Sequence, residues 1–113
     1  MNNSMDLKLI LKKRWFDLIA SGEKKEEYRE IKPYWGKRLT DLPNGHYLFS
    51  HRYGYQKFHF KDITSVTFYL GYQKDRPSMT FKVDGIEIGK GKEEWGAEPG
   101  KEYFVIKLGE RII

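Results

Sequence analysis

The sequence contains no cysteine, which excludes a disulfide framework and a thiolate metal site. No run approaches the roughly 20 apolar residues a bilayer span needs, and a charged fraction of 33% speaks against a membrane protein. Met1 to Lys8 shows no basic stretch followed by an apolar one, so no secretory signal is read. Walker loops, GxSxG elbows and dinucleotide fingerprints are missing, as are repeats, linkers and low-complexity tracts. Gly89-Lys90-Gly91-Lys92 has the composition of a phosphate loop but no helical pattern after it. His46, His51 and His59 lack metal-ligand spacing. The expectation is a cytoplasmic protein of one domain, residues 1–113, with no metal and no cofactor.

One local absence says more. From Leu42 to Lys61 there is no acidic residue, while the segment holds Arg52, Lys57, Lys61 and every histidine. Between Lys12 and Arg38 nine Lys/Arg stand against five Asp/Glu, which places +4 of the net +5 there. Clustered basic charge is the footprint of a polyanionic partner, although +5 taken alone equally suits an ordinary solvated surface.

Hydrophobic residues make up 39% and aromatics 16%, so rings and aliphatics share the core. Leu7, Leu9 and Leu11 alternate with Lys8 and Ile10, the pattern of a buried first strand. Trp15, Leu18 and Ile19 then fall at i, i+3 and i+4, predicting a helix over 12–20 whose apolar face Phe16 and Ala20 widen. Ser21-Gly22 ends it, with Gly22 free to become left-handed. KKEEYREI predicts an extended segment with Glu27, Arg29 and Ile31 on one face and Glu26, Tyr28 and Glu30 on the other. Pro33 opens a short helix through Tyr34, Trp35 and Arg38.

Residues 41–45 form a turn and 46–50 a strand; 52–60, alternating around Gly54, reads as a loop or an irregular edge strand. Ser65 to Leu70 is a strand with Val66, Phe68 and Leu70 inward. Met79, Phe81 and Val83 form another, and Asp84-Gly85 predicts a hairpin turn into Ile86 and Ile88. Gly89 to Gly100 is a loop with room for one helical turn, and Tyr103 to Leu108 is the last strand. About six short strands and an N-terminal helix predict an α+β fold built on a small barrel or sandwich.

Gly22, Lys24, Glu27 and Arg29 make the pattern G-x-K-x-x-E-x-R directly after an amphipathic helix. With the lead-in LILKKRWFDLIASGEKKEEYR and the tail WGAEPGKEYFVIKLG, it resembles the ASCH domain, a branch of the PUA-like superfamily. The resemblance implies a small, mostly antiparallel β-barrel with the N-terminal helix packed against it. It also implies a basic cleft between helix and barrel, suited to RNA or a nucleotide-like ligand. The family includes enzymes. One group looks like amidohydrolases acting on N4-acetylcytidine through a lysine, a threonine nucleophile and a distant glutamate, and another has been assigned ribonuclease activity. Lys24 matches the lysine, but Glu27 stands where the threonine would, and a carboxylate cannot serve as that hydroxyl.

Lys24 is an ammonium able to hold a phosphate; as a general base it would need burial or a neighbouring cation such as Lys25, and otherwise it is a solvated surface lysine. Glu27 and Arg29 are either an ion pair that shapes the cleft wall or a recognition pair, with Arg29 forked onto a phosphate or base edge. Tyr53 and Trp95, flanked by glycines, are expected on exposed loops where bases stack, with Arg52 nearby. Tyr28, Tyr34, Trp35 and Tyr55 are expected mostly in the core. The expected function is RNA or nucleotide binding through Lys24, Glu27, Arg29, Arg52, Tyr53 and Trp95. Two alternatives stay open: a hydrolase or ribonuclease with Lys24 and Glu27 catalytic, and a protein-interaction module presenting the 52–60 surface.

Overall fold

Alternating leucines build the first strand, β1 (Met5–Leu11), which buries Leu9 and Leu11 and leaves Lys8 exposed. A computed structural model of the chain describes residues 4–42, 49–50, 54–55 and 58–113. The helical spacing yields α1 (Lys13–Ala20), with Phe16 and Ile19 buried. Trp15 and Leu18 are half-buried and Ala20 is exposed, so the buried face is narrower than the sequence implies. The charged segment forms β2 (Glu26–Glu30), and Pro33 opens α2 (Pro33–Leu39) at the position where its missing N–H costs nothing. Two short strands, β3 (Phe49–Ser50) and β4 (Gly54–Tyr55), pair antiparallel with each other. The expected turn at 41–45 and the start of the 46–50 strand fall largely outside the described residues.

The remaining strands are β5 (Ile63–Leu70), β6 (Ser78–Lys90) and β7 (Glu102–Arg111). Five strands form one mixed sheet in the order β1-β5-β6-β7-β2. Only β1 and β5 run parallel; the other neighbours are antiparallel. The sheet curls into a half-barrel whose two terminal strands are β1 and β2. The main core joins Leu9 and Leu11 to Phe16 and Ile19 of α1 and to Val66, Phe68, Met79, Phe81 and Ile106 of the sheet. A second cluster, Leu39, Ile63 and Phe104, joins α2 to the sheet. Among the described residues, no helix is long and apolar enough to cross a membrane.

Asp84-Gly85 is not a hairpin turn. β6 runs through it unbroken, pairing with β5 at Ser78–Lys82 and with β7 over most of its length. The register shifts between Phe81 and Val83 and again between Val83 and Gly85. Beyond Lys82 the partner is β7 alone, whose ladder takes up backbone hydrogen bonds along that edge while bulges absorb the bend. Asp84 lies against Gly109, where a Cβ would overlap its carboxylate. The ladder therefore overrides the local turn preference.

The two glycines behave oppositely as a result. Gly22 has a φ of 84°, whereas Gly85 is outside the positive-φ region, and neither would place a Cβ within 4 Å of another group. Gly22→Ala is expected to destabilise the fold by ~1–2 kcal/mol through backbone strain alone. Gly85→Ala is expected to be neutral or to stabilise by ~0.4–1 kcal/mol. Urea unfolding of the two variants checks this, and a large loss for Gly85→Ala would restore the turn.

Candidate functional site

The site begins at the end of α1. The Gly22 amide donates to the Ile19 carbonyl at 3.0 Å. The Leu18 carbonyl accepts both the Ser21 hydroxyl, at 2.9 Å, and the Lys24 amide, at 3.0 Å. Lys24 is thereby tied to the helix terminus. One residue later the Lys25 carbonyl accepts the Leu108 amide at 3.0 Å, which leads the chain into its pairing with β7.

That pairing sets Glu27 opposite Ile106 and Arg29 opposite Phe104. Directly opposed residues share a sheet face, and Ile106 and Phe104 are fully buried. The register thus carries a carboxylate and a guanidinium onto the apolar face, where charge persists only when paired and hydrogen-bonded. Glu27 is 5% exposed and Lys24 is 2% exposed. Lys24 Nζ lies 3.0 Å from Glu27 Oε1 and donates at 2.7 Å to the Trp95 carbonyl. Arg29 Nη2 donates to Glu27 Oε2 at 2.9 Å. The Tyr28 amide donates to Oε1 at 3.2 Å. Each carboxylate oxygen faces its own cation.

Rings enclose the cluster. Lys24 Nζ is 5.0 Å from the ring centroids of both Trp15 and Tyr28, contacts worth up to ~2 kcal/mol each when desolvated. The Arg29 guanidinium lies 5.0 Å from the Trp35 ring. The Arg29 Nε is buried and has no hydrogen-bond partner among the described residues, at a cost of ~1–3 kcal/mol. The Tyr28 hydroxyl donates to Glu26 Oε1 at 2.8 Å and accepts the Lys92 amide at 2.9 Å. Gly91 permits this, because a Cβ there would sit 2.6 Å from the Tyr28 ring.

A cleft of about 290 Å³ opens on the cluster. Ile10 and Leu11 of β1 line it together with Glu27, Tyr28 and Arg29 of β2, so it is the seam left between the terminal strands of the half-barrel. Lys12 and Trp15 close one side, Trp95 and Gly96 another. Lys12, Lys24 and Arg29 oppose the single carboxylate of Glu27, so the lining is net positive. The volume lies at the lower end of the ~300–1,000 Å³ typical of ligand pockets, enough for one base or nucleoside.

The four motif residues therefore converge, with Gly22 setting the path and Lys24, Glu27 and Arg29 forming the cluster. Lys24 is not a solvated surface lysine, because the helix end and the β2 register direct it inward. Glu27 and Arg29 do form an ion pair. Trp95 is half-buried rather than fully exposed: its 3-10 turn (Glu93–Trp95) folds back so that its carbonyl, not its ring, meets Lys24, while Lys92 stacks on the ring at 4.4 Å. Arg52 and Tyr53, with most of the 52–60 surface, lie outside the described residues. Trp15, Tyr28 and Lys12 are cleft residues that sequence reasoning did not select; the proximity of the first two to the motif was the available signal. Among the described residues, no three histidine or carboxylate side chains converge to hold a metal ion. Comparison with protein-family models, curated proteins and solved structures finds no match to this chain.

Removing one member of a buried pair strands the other. Glu27→Ala is expected to cost about 3–5 kcal/mol in urea unfolding because it leaves Lys24 charged and unpaired. Arg29→Ala should cost much less, since that side chain is 20% exposed and water can take its place.

A second expectation concerns alkaline pH. Burial pushes the Tyr28 phenol above its ordinary value of 10.0; the Lys92 amide pulls the other way, and the bond to Glu26 with the charges of Glu26 and Glu27 adds to the rise. Above pH 10 the unfolded chain releases a proton that the folded chain keeps, so stability present below that pH is lost as pH climbs toward the raised value. Tyr28→Phe should flatten this part of the stability curve between about pH 9 and about pH 11. An equal slope in both proteins would assign the loss to other groups.

Proposed function

We propose that this chain is an RNA- or nucleotide-binding domain of the ASCH, PUA-like kind, with the seam cleft as its ligand site. One observation carries the reading: Lys12, Lys24, Glu27 and Arg29 and the aromatic residues Trp15, Tyr28 and Trp95 all line one base-sized space. Aromatic walls suit a planar base, and the excess of cations suits its phosphate. The roles divide by exposure. Lys24 already holds the Trp95 carbonyl and Glu27, so it supplies positive potential and fixes the carboxylate. Arg29, partly exposed and held by Glu27 through Nη2, and Lys12, exposed at the mouth, are the groups with donors left for a ligand. The setting in this reading is cytoplasmic, in keeping with a chain that uses no cysteine.

Hydrolysis through Glu27 has less support, because both of its oxygens are already engaged by cations in the ion cluster and the residue is 5% exposed. The binding reading is tested by titrating a short single-stranded RNA and a nucleoside monophosphate at about 50 and about 200 mM salt. Affinity is expected to fall with salt. Arg29→Ala is expected to weaken it about tenfold or more, the ~1.5–3 kcal/mol of a charge-assisted bond. The double variant Lys24→Met/Glu27→Gln removes both buried charges together and keeps the fold measurable; it too should bind weakly. Salt-insensitive binding, or wild-type affinity in both variants, would overturn the reading.

A further inference from the structure

Three further hollows continue from the seam cleft. One of about 200 Å³ is lined by Lys8, Ile10, Arg29, Tyr34, Trp35 and Tyr72. The next, about 320 Å³, is bounded by Lys8, Tyr34, Trp35, Arg38 and Lys61, with Asp6 at its side. The last, about 340 Å³, lies between Tyr34, Lys37, Arg38 and Lys61. Each shares side chains with its neighbour: Ile10 and Arg29 join the cleft to the first, Lys8 and Trp35 join the first to the second, and Arg38 and Lys61 join the second to the third. The result is one trough, running from the seam past β1 to α2.

Its chemistry is one-sided. Beyond Arg29 it carries Lys8, Lys37, Arg38 and Lys61 against one carboxylate, Asp6, which already accepts the hydroxyls of Ser65 and Thr67. None of those four cations is in an ion pair among the described residues, whereas Lys82, Lys101 and Lys107 are paired with Glu110, Glu30 and Glu87. A row of unneutralised cations repels itself and is relieved by a polyanion. The trough also offers exposed rings. Tyr34 is 57% and Tyr72 84% exposed, and the Arg38 guanidinium lies 4.3 Å from the Tyr34 ring centroid. Such platforms stack unpaired bases, which a duplex does not present.

We propose that the trough is a track for a single-stranded polynucleotide, with one nucleotide in the seam cleft and the following phosphates led past Arg29 toward Lys8, Arg38 and Lys61. This rests on the nucleotide reading of the cleft. The cleft has room for one base, so a continuing strand leaves it where Arg29 joins the two spaces.

The test compares a fluorescent uridine dinucleotide with an oligouridylate of roughly 12 nucleotides, within the ~4–16 that one small nucleic-acid-binding barrel covers. The longer strand should bind at least about tenfold tighter than the dinucleotide and than a duplex of equal length. Arg38→Ser/Lys61→Ser should remove most of that gain and lower the salt slope by about 0.7 for each phosphate no longer neutralised. Lys82→Ser/Lys107→Ser, away from the trough, should leave it intact, and circular dichroism confirms that each variant folds. Equal affinity for both lengths, with dinucleotide binding still dependent on Arg29, overturns the track and spares the cleft. Tighter binding of the duplex, or retention of the gain in Arg38→Ser/Lys61→Ser, also overturns it. Failure of both ligands to bind overturns the cleft reading and the track with it.

Discussion

A single carboxylate on the wrong side of a sheet organises this molecule. Glu27 lies opposite Ile106 on the face that builds the core, and its charge must be answered from within the fold. Lys24 answers one oxygen and Arg29 the other. Each answer has structural requirements of its own. Lys24 reaches inward only because the chain leaves α1 through a left-handed Gly22 and is tied back to the Leu18 carbonyl. Its remaining bond requires the 3-10 turn that brings the Trp95 carbonyl to 2.7 Å. Helix end, edge strand and distal loop are thus joined through one ion cluster.

The cluster also accounts for the seam. A half-barrel has two terminal strands with unpaired backbone edges, and such edges invite pairing with other chains. Here the strip between β1 and β2 is occupied by charge and by the rings of Trp15, Tyr28 and Trp35, which obstruct strand addition while leaving a base-sized space open. The features that protect an edge are the same ones that give the cleft its sign and its flat walls. Arg29 links the two regions of that strip. It is held by Glu27, packed on Trp35, and left with a buried Nε that no described residue accepts.

Local pattern was a good guide where local physics decides. The leucine alternation of β1, the i, i+3, i+4 face of α1, its stop at Gly22 and the Pro33 start of α2 depend on neighbours in the chain, and each is found in the structure. Asp84-Gly85 shows where that guide ends. The dipeptide is a turn by composition, but pairing with β7 holds it in a strand, and nothing within a few residues of it reports that partner. Trp95 makes the same point for the site. Flanking glycines suggested an exposed ring, whereas its backbone oxygen is the group that Lys24 uses.

Taken alone, the amino-acid order carries the ingredients: a helix ended by glycine, a charged strand just after it with Glu27 and Arg29 on one face, basic charge gathered in the first half, and no cysteine chemistry. It does not say which way that face points. A two-residue alternation is the same whether charged side chains meet water or core, and only the β2–β7 register makes the choice. Packing in three dimensions buried Lys24 and Glu27, curled the sheet so that its first and last strands share a cleft, and joined that cleft to the trough beside α2. Those decisions depend on contacts between residues 71 and more positions apart, as in the Lys24–Trp95 bond and the Glu27–Ile106 pairing, and such contacts leave no periodic mark on the sequence.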